Sequence, residues 1–180
     1  NNTSNSNNSN GIHLYLSNNN TLTGNIASNN DRRGIYLDDS SENSLTGNIA
    51  QENRRYDLYI DTSSDYDCSS STIINTIGSG GRPIKYFNSA VSLSDETFSE
   101  LILCNADGSS INNITIDGSA THKNNGLLLI RTDFSTIANV NSSNNRDGIF
   151  LLLSHNNTFT NNTSNSNNVY GINLNISINN

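Results

Sequence analysis

The chain has 180 residues and a formal net charge of −7, with nine Lys and Arg against 16 Asp and Glu. This acidic balance argues against a nucleic-acid partner, because phosphate backbones are bound through clustered basic side chains. No run of 18 apolar residues occurs, so we expect no direct membrane insertion. Asn fills 37 positions and only 32% of residues are apolar, a composition that is typical of disorder unless the chain repeats.

A short phrase of the form Gly-Ile-x-Leu returns along the chain. Its copies occupy residues 11–14, 34–37, 148–151 and 171–174, and the related phrases Asp-Leu-Tyr-Ile and Gly-Leu-Leu-Leu occupy residues 57–60 and 126–129. The spacings are 23, 23, 69, 22 and 23 residues, and the longest is three periods. A constant period of this size predicts a repeat fold, in which each unit buries its apolar face only against its neighbours.

A second, shorter apolar phrase follows the first in each period. It reads Thr-Leu-Thr-Gly-Asn-Ile at 21–26 and Ser-Leu-Thr-Gly-Asn-Ile at 44–49. Such short, β-branched phrases predict strands, and the Asn, Gly and Ser between them predict turns. We therefore expect an all-β fold, a parallel β-helix (solenoid) of about seven coils with 22–23 residues each. A leucine-rich repeat fits less well, because its return segment needs more Leu.

The period also predicts which side chains face inward. The inward ladders are Ile12, Ile35, Leu58, Leu127, Ile149 and Ile172, with Leu14, Leu37, Ile60, Leu129, Leu151 and Leu174 beside them. Stacked Asn side chains at the turns are expected to form amide ladders. These ladders explain how so polar a chain can fold.

An aromatic column is predicted on the outward face of the first strand, at His13, Tyr36 and Tyr59, continued by Leu128 and Phe150. This column has two interpretations. It is a platform for the pyranose rings of a cell-surface polysaccharide, or it packs against another chain or an overlying loop. The adjacent column of Tyr15, Ile130 and Leu152 widens the apolar strip and favours packing.

The period is unclear in the middle of the chain. We predict one domain over residues 1–180, with regular coils at 1–60 and 106–180 and irregular, insertion-bearing coils at 61–105. Insertions in solenoids map to loops on one face. The expected structure is a continuous helix with one or two decorated coils.

Acidic residues gather near the decorated part. Asp38 is predicted to lie directly above Asp61, with Asp65 nearby. Stacked carboxylates repel one another, so the pair is interpreted as a solvated acidic turn, a Ca²⁺ site or an acid pair that cleaves sugars. Ca²⁺ is the only cofactor that the residues indicate.

Cys68 and Cys104 are the only cysteines, and both lie in the decorated part. An even count is typical of a disulfide in a secreted protein, which would close a loop of 36 residues. Two buried thiols stacked in the core are the alternative, since one and a half coils separate the two cysteines.

Arginines recur in the turn before the Gly-led strands, at positions 32, 33, 54, 55 and 146. Because the position is tied to the repeat, we interpret them as structural. Those beside Asp31 and Asp57 are expected to form surface charge pairs, worth less than about 1 kcal/mol each.

Sequons for N-glycosylation are abundant. The candidates are Asn19, Asn113, Asn141, Asn156 and Asn162. Most sequons in so Asn-rich a chain arise by chance, so they favour an extracellular, cell-surface location only weakly.

The Gly-Ile-x-Leu and Asn-x-Leu-Thr-Gly-Asn-Ile phrases, which cover nearly the whole chain, resemble the NosD-like and carbohydrate-binding or sugar-hydrolase group of β-helix repeats. The resemblance is to the Asn-rich versions in surface proteins of methanogenic archaea. It implies a single-stranded right-handed parallel β-helix. The NosD name also implies periplasmic copper delivery, but the chain has no Met, two Cys and three scattered His.

The two ends of the chain are alike: residues 1–20 and 161–180 are identical at 14 of 20 positions. A solenoid without caps exposes unpaired strand edges. We therefore predict a non-enzymatic structural or adhesive module of an extracellular surface protein or filament, which stacks end to end or on flanking coils of a longer chain. A polysaccharide-binding or polysaccharide-cleaving domain is the alternative.

Overall fold

The computed structural model describes residues 1–180. Its first part contains β1 (Ile12–Tyr15), β2 (Thr21–Thr23), β3 (Ile35–Asp38), β4 (Ser44–Thr46), β5 (Leu58–Asp61), α1 (Asp65–Ser70), β6 (Thr72–Ile74) and β7 (Thr76–Ile77). A 3₁₀ turn at Ser79–Gly81 leads to the second part. None of the helices has the length and hydrophobicity that a membrane-spanning helix needs.

The second part is all-β. It contains β8 (Pro83–Phe87), β9 (Ser92–Ser94), β10 (Thr97–Phe98), β11 (Glu100–Cys104), β12 (Ser110–Asn112), β13 (Thr115–Ile116), β14 (Leu127–Ile130), β15 (Thr136–Ala138), β16 (Asp147–Leu152), β17 (Thr158–Thr160) and β18 (Tyr170–Asn175). Successive coils contribute equivalent strands to each sheet, and all but one of the strand pairs are parallel. This arrangement is a parallel β-helix of about seven coils, as the period predicted.

The predicted register is confirmed within each part. Ile35 pairs with Ile12 on one side and with Leu58 on the other. Leu127 likewise pairs with Ile149, which pairs with Ile172. Residues of the ladders inside the coils, such as Leu37 and Leu129, are at most 1% exposed.

Asn side chains form the ladders expected at the turns. The amide nitrogen of Asn7 donates to Oδ1 of Asn30 at 2.9 Å, and the amide nitrogen of Asn30 donates to Oδ1 of Asn53 at 2.9 Å. Each Oδ1 also accepts a backbone N–H of the neighbouring coil. The high Asn content therefore supplies hydrogen bonds to turns whose backbone groups lack a sheet partner.

The stack of coils is interrupted, which corrects the expectation of one continuous helix. The sheet of β1, β3 and β5 ends at β5, and a separate six-stranded sheet runs from β7 and β8 to β18. Between them β7 and β8 pair antiparallel, so the chain reverses. Gly80 and Gly81 have φ values of 67° and 71°, a left-handed conformation that glycine adopts without strain. We call the two parts the first stack (residues 1–77) and the second stack (residues 83–180).

The outward faces of the two stacks pack against each other. Tyr36 and Tyr59 of the first stack share a hydrophobic cluster with Ile102, Leu128 and Phe150 of the second. Leu128 and Phe150 therefore do not continue the column of Tyr36 and Tyr59, as the sequence had indicated, but lie opposite it. The second stack therefore excludes solvent from Tyr36 and Tyr59, while His13 at the end of the column stays exposed.

Candidate functional site

A buried carboxylate, Asp57, lies at the junction of the two stacks and is fully inaccessible to solvent. Its oxygens accept hydrogen bonds from N and Nδ2 of Asn53, N and Oγ of Ser79, Oγ of Ser99, Nδ2 of Asn124 and Nδ2 of Asn125, at 2.7 to 3.5 Å. The pKa of Asp57 is raised, because the effect of burial outweighs that of these hydrogen bonds, which lower the pKa. A group held from both stacks and cut off from water stabilises the junction rather than acting on a substrate.

Asp57 stands where most other repeats have glycine, and the structure explains the exchange. A Cβ at Gly11 would meet the backbone oxygen of Gly34 in the next coil at 2.8 Å, so only glycine fits between stacked coils. β5 is the last strand of its sheet, and no coil follows above it. The side chain of residue 57 therefore has room, and it reaches into the second stack.

A second buried carboxylate belongs to Glu100, at the start of β11. Its Oε2 accepts the backbone N–H of Leu58 at 3.0 Å, which satisfies a donor on the free edge of β5. Its Oε1 has no hydrogen-bond partner. Burial, together with the nearby charge of Asp57, raises the pKa of Glu100 well above its usual range.

Aromatic and basic side chains seal the junction. The rings of Tyr56 and Tyr59 stack with centroids 4.8 Å apart, and the Tyr56 hydroxyl donates to the carboxylate of Asp147 in the second stack. The Arg33 guanidinium lies over Tyr59, 4.5 Å from its centroid, and Arg146 lies 5.4 Å from that of Tyr56. Such cation–π contacts gain strength where water is excluded.

The predicted sugar platform is largely covered by these contacts. His13 and Tyr36 stack with ring centroids 4.4 Å apart, and Tyr36 adjoins Tyr59 at 5.8 Å. However, Tyr36 and Tyr59 are only 7% and 8% exposed. A pyranose ring could reach only the His13 end of the column, where Tyr15 is exposed, and binding there stays a prediction.

Of the three predicted metal ligands, the structure brings two together. Asp38 and Asp61 pair in register on adjacent strands. Asp38 contacts His13 Nε2 at 3.3 Å, and Asp61 accepts a hydrogen bond from the Tyr36 hydroxyl at 3.4 Å. Asp65 is instead paired with Arg131 at 3.1 Å. No group of three or more His, Cys, Asp or Glu is placed to hold a metal ion, and Ca²⁺ binding stays a prediction.

Cys68 and Cys104 are joined by a disulfide, with their Cα atoms 5.2 Å apart. Cys68 belongs to α1, which follows the first-stack strand β5, and Cys104 ends β11 of the second stack. The Tyr86 hydroxyl donates to the backbone oxygen of Cys68 and fixes the same contact. The disulfide therefore crosses the junction.

The sequon residues differ in accessibility. Asn19, Asn113, Asn141 and Asn156 are exposed. Asn162 is half-buried, and its Nδ2 donates to the backbone oxygen of Ile137 at 2.8 Å as part of a turn ladder. Nδ2 is the atom that a glycan would occupy, so Asn162 is the least accessible of the five candidates.

A polar groove of about 240 Å³ was not predicted from the sequence. It is lined by Asp65, Asn105, Asp107, Arg131, Asp133, Leu153 and His155. The backbone N–H of His155 donates to Asp133 at 2.6 Å, and that of Asp133 donates to Asp107 at 2.7 Å. Asp107, Asp133 and His155 are equivalent positions of successive coils, a relation that the irregular middle of the sequence concealed.

The fold and the repeat define the chain as a parallel β-helix repeat protein. The family model described as periplasmic copper-binding protein (NosD) matches residues 1–98 and again residues 97–180. The chain belongs to this family. No curated protein and no solved structure matches the chain.

The donor set of this chain does not fit the copper in the family's description. Copper in proteins is held by clustered His, Cys and Met side chains. The chain has no Met, and its two cysteines are consumed by the disulfide. Its three histidines do not join one another or the carboxylates in any group of three potential ligands.

Proposed function

We propose that the chain is a non-enzymatic structural module of an extracellular surface protein or filament, whose open coils stack on further coils. The partner coil comes from a second copy or from flanking coils of a longer chain. The periplasmic description of the family and the disulfide across the junction support a location outside the cytoplasm.

The observation that carries this proposal is the exposed interior at the end of the second stack. Ile172 and Leu174 of β18 are 49% and 46% exposed, whereas their equivalents Ile149 and Leu151 of β16 are fully buried. Covering such core side chains with another coil removes apolar surface from water, at about 25 cal/mol per Å². The free edge of β18 also offers unpaired backbone groups to a matching strand.

The start of the first stack presents the complementary edge. β1 has a partner on one side only, and a groove beside it is lined by Asn1, Asn2, Ile12, Thr21, Leu22, Thr23 and Asn25. Residues 1–20 and 161–180 are identical at 14 of 20 positions, so β1 of one copy offers β18 of another nearly the pattern of a native coil. This contact joins two different edges, so it builds rods or filaments where the rotation between copies does not close.

Light scattering over a range of concentrations tests the proposal, with Leu174→Lys as the disrupting variant. Phe134 is 67% exposed and lies on a middle coil of the second stack, away from the open end. Phe134→Lys is therefore the control, because it also replaces an exposed apolar residue with a lysine. We expect the parent and Phe134→Lys to grow in mass and Leu174→Lys to remain monomeric. A parent that stays monomeric with ordered end coils rules out self-assembly, and flanking coils then remain the partner to test.

A second candidate is a polysaccharide-binding or polysaccharide-cleaving domain, favoured by the polar groove beside Asp107 and Asp133. Three carboxylates, an arginine and a histidine line this groove and can hydrogen-bond sugar hydroxyls. A glycan array distinguishes the candidates, because glycan binding that is lost in Asp133→Asn favours the groove.

A further inference from the structure

Five of the nine basic residues of this acidic chain gather at one edge of the junction. They are Arg32, Arg33, Arg54, Arg55 and Arg146, which we call the arginine patch. The first four lie in the turns before β3 and β5, and Arg146 precedes β16. Because the two stacks meet here, arginines far apart in sequence become neighbours.

Backbone contacts fix the neighbours in place. The N–H of Arg55 donates to the carbonyl of Arg32 at 2.9 Å, on the adjacent coil. The N–H of Asn125 donates to the carbonyl of Arg55 at 2.9 Å, and the N–H of Arg146 donates to the carbonyl of Asn125 at 3.2 Å. Asn125 therefore links the backbone of Arg55 in the first stack to the backbone of Arg146 in the second stack.

The guanidinium groups are oriented by aromatic rings. Arg33 lies 4.2 Å from the centroid of Tyr36, in addition to its contact with Tyr59, and Arg146 lies over Tyr56. The Nε atom of Arg33 is buried and has no hydrogen-bond partner, whereas the buried Nε of Arg146 makes an ion-pair contact with Oδ2 of Asp147. Arg32 and Arg54 are exposed and the other three are half-buried, so the patch is open to solvent on one side.

Carboxylates offset only two of the five charges. Asp31 pairs with Arg54 at 3.3 Å, and Asp147 pairs with Arg146 at 3.2 Å. Asp57 is committed to the amide and hydroxyl groups of the junction, and Glu52, also in the turn before β5, accepts hydrogen bonds from the hydroxyls of Ser119 and Thr121. Arg32, Arg33 and Arg55 form no ion pair. Burial, followed by repulsion from the neighbouring arginines, lowers the pKa of Arg55.

We propose that the arginine patch binds a doubly charged oxyanion, a sulfate or phosphate group. Guanidinium groups bind such anions through paired N–H donors. Three arginines of the patch lack an ion pair, so a doubly charged anion neutralises more of their charge than a single carboxylate would. This inference is independent of end-to-end assembly. The anion is either a free inorganic ion or a group on a polymer, and the two sources share the same contacts.

Isothermal titration with inorganic sulfate and phosphate at low ionic strength tests the proposal. The variant is Arg32→Gln/Arg55→Gln, which removes two arginines without an ion pair. The control is Lys85→Gln/Lys123→Gln, which removes the same charge from exposed lysines outside the patch. We expect the arginine variant to lose at least about tenfold in affinity, since hydrogen bonds to charged groups are among the stronger ones. The control should keep the parent affinity.

A sulfated hexasaccharide in the same titration distinguishes the sources. Tighter binding of the oligosaccharide than of inorganic sulfate indicates a polymer, and equal affinity indicates a free ion. Thermal unfolding with sulfate provides a second measurement. Because sulfate stabilises proteins in general by exclusion from their surface, a rise in Tm supports the proposal only if it is absent in the arginine variant and present in the lysine control. If no probe binds, or if the arginine variant binds as tightly as the control, the proposal is wrong.

Discussion

Asp57 and Asn125 exchange two hydrogen bonds across the junction of the stacks, although 68 residues separate them along the chain. The backbone N–H of Asp57 donates to Oδ1 of Asn125 at 2.7 Å, and Nδ2 of Asn125 returns a hydrogen bond to Oδ2 of Asp57 at 2.8 Å. A side-chain amide thereby takes the place of the coil that would otherwise follow β5. The free end of the first stack is closed by polar groups of the second.

The first prediction concerns this closure. In Asp57→Asn, an NH₂ group takes the place of a carboxylate oxygen that accepts several hydrogen bonds. The NH₂ group cannot accept them, so the buried donors around it lose their partner. We expect the free energy of unfolding to fall by about 3 kcal/mol or more. Asp31→Asn removes the exposed ion pair with Arg54 and should lower the free energy of unfolding by less than about 1 kcal/mol. Urea unfolding of both variants measures the difference, and equal losses would contradict the assigned role of Asp57.

The second prediction separates inward from outward positions. Leu37→Asp places an unpaired charge in the core of a coil and should abolish cooperative unfolding. Tyr15→Asp, at a side chain that is 59% exposed, should be tolerated. The alternating pattern alone predicts that Tyr36→Asp is tolerated as well, but Tyr36 is buried by the second stack, so we expect this variant to be strongly destabilised. Circular dichroism during urea titration distinguishes these outcomes.

The ladders were predictable because the repeat period places equivalent residues on adjacent coils, next to one another. Ile35 and Leu58 occupy equivalent positions, and equivalent positions stack. The reversal was not predictable in this way, because the same phrase builds both stacks and says nothing about which coil ends a sheet. Two residues did carry the signal: Asp57 replaces a repeat glycine, and Phe150 puts a large apolar side chain on an outward face. The site itself depends on contacts between coils remote in sequence, which no local pattern encodes.

The third prediction concerns pH. Because burial and Asp57 raise the pKa of Glu100, the native protein holds a proton at pH values where the unfolded chain, with an ordinary value of 4.5, has lost it. Stability must then fall as the pH rises above about 4.5 towards the pKa of the folded state. Glu100→Gln cannot titrate.

Urea unfolding at intervals from pH 4 to pH 8 measures this dependence. The stability of Glu100→Gln relative to the parent should increase as the pH rises, and the other carboxylates largely cancel because both proteins contain them. A difference that stays constant over this range would show that Glu100 titrates normally in the folded protein.

The last prediction concerns the disulfide between α1 and β11. It closes a loop of 36 residues, and restricting a loop of this size in the unfolded chain stabilises the folded state by about 3 to 4 kcal/mol. The change is Cys68→Ser together with Cys104→Ser, because a single replacement leaves a reactive thiol. Since Cys68 and Cys104 are both fully buried, the serine variant also loses packing, so reduction of the parent by dithiothreitol provides a second measurement without a substitution. The Tm should fall in both cases, and dithiothreitol should leave the Tm of the double variant unchanged. If the reductant lowers the Tm of both proteins equally, or of neither, the disulfide does not hold the two stacks together.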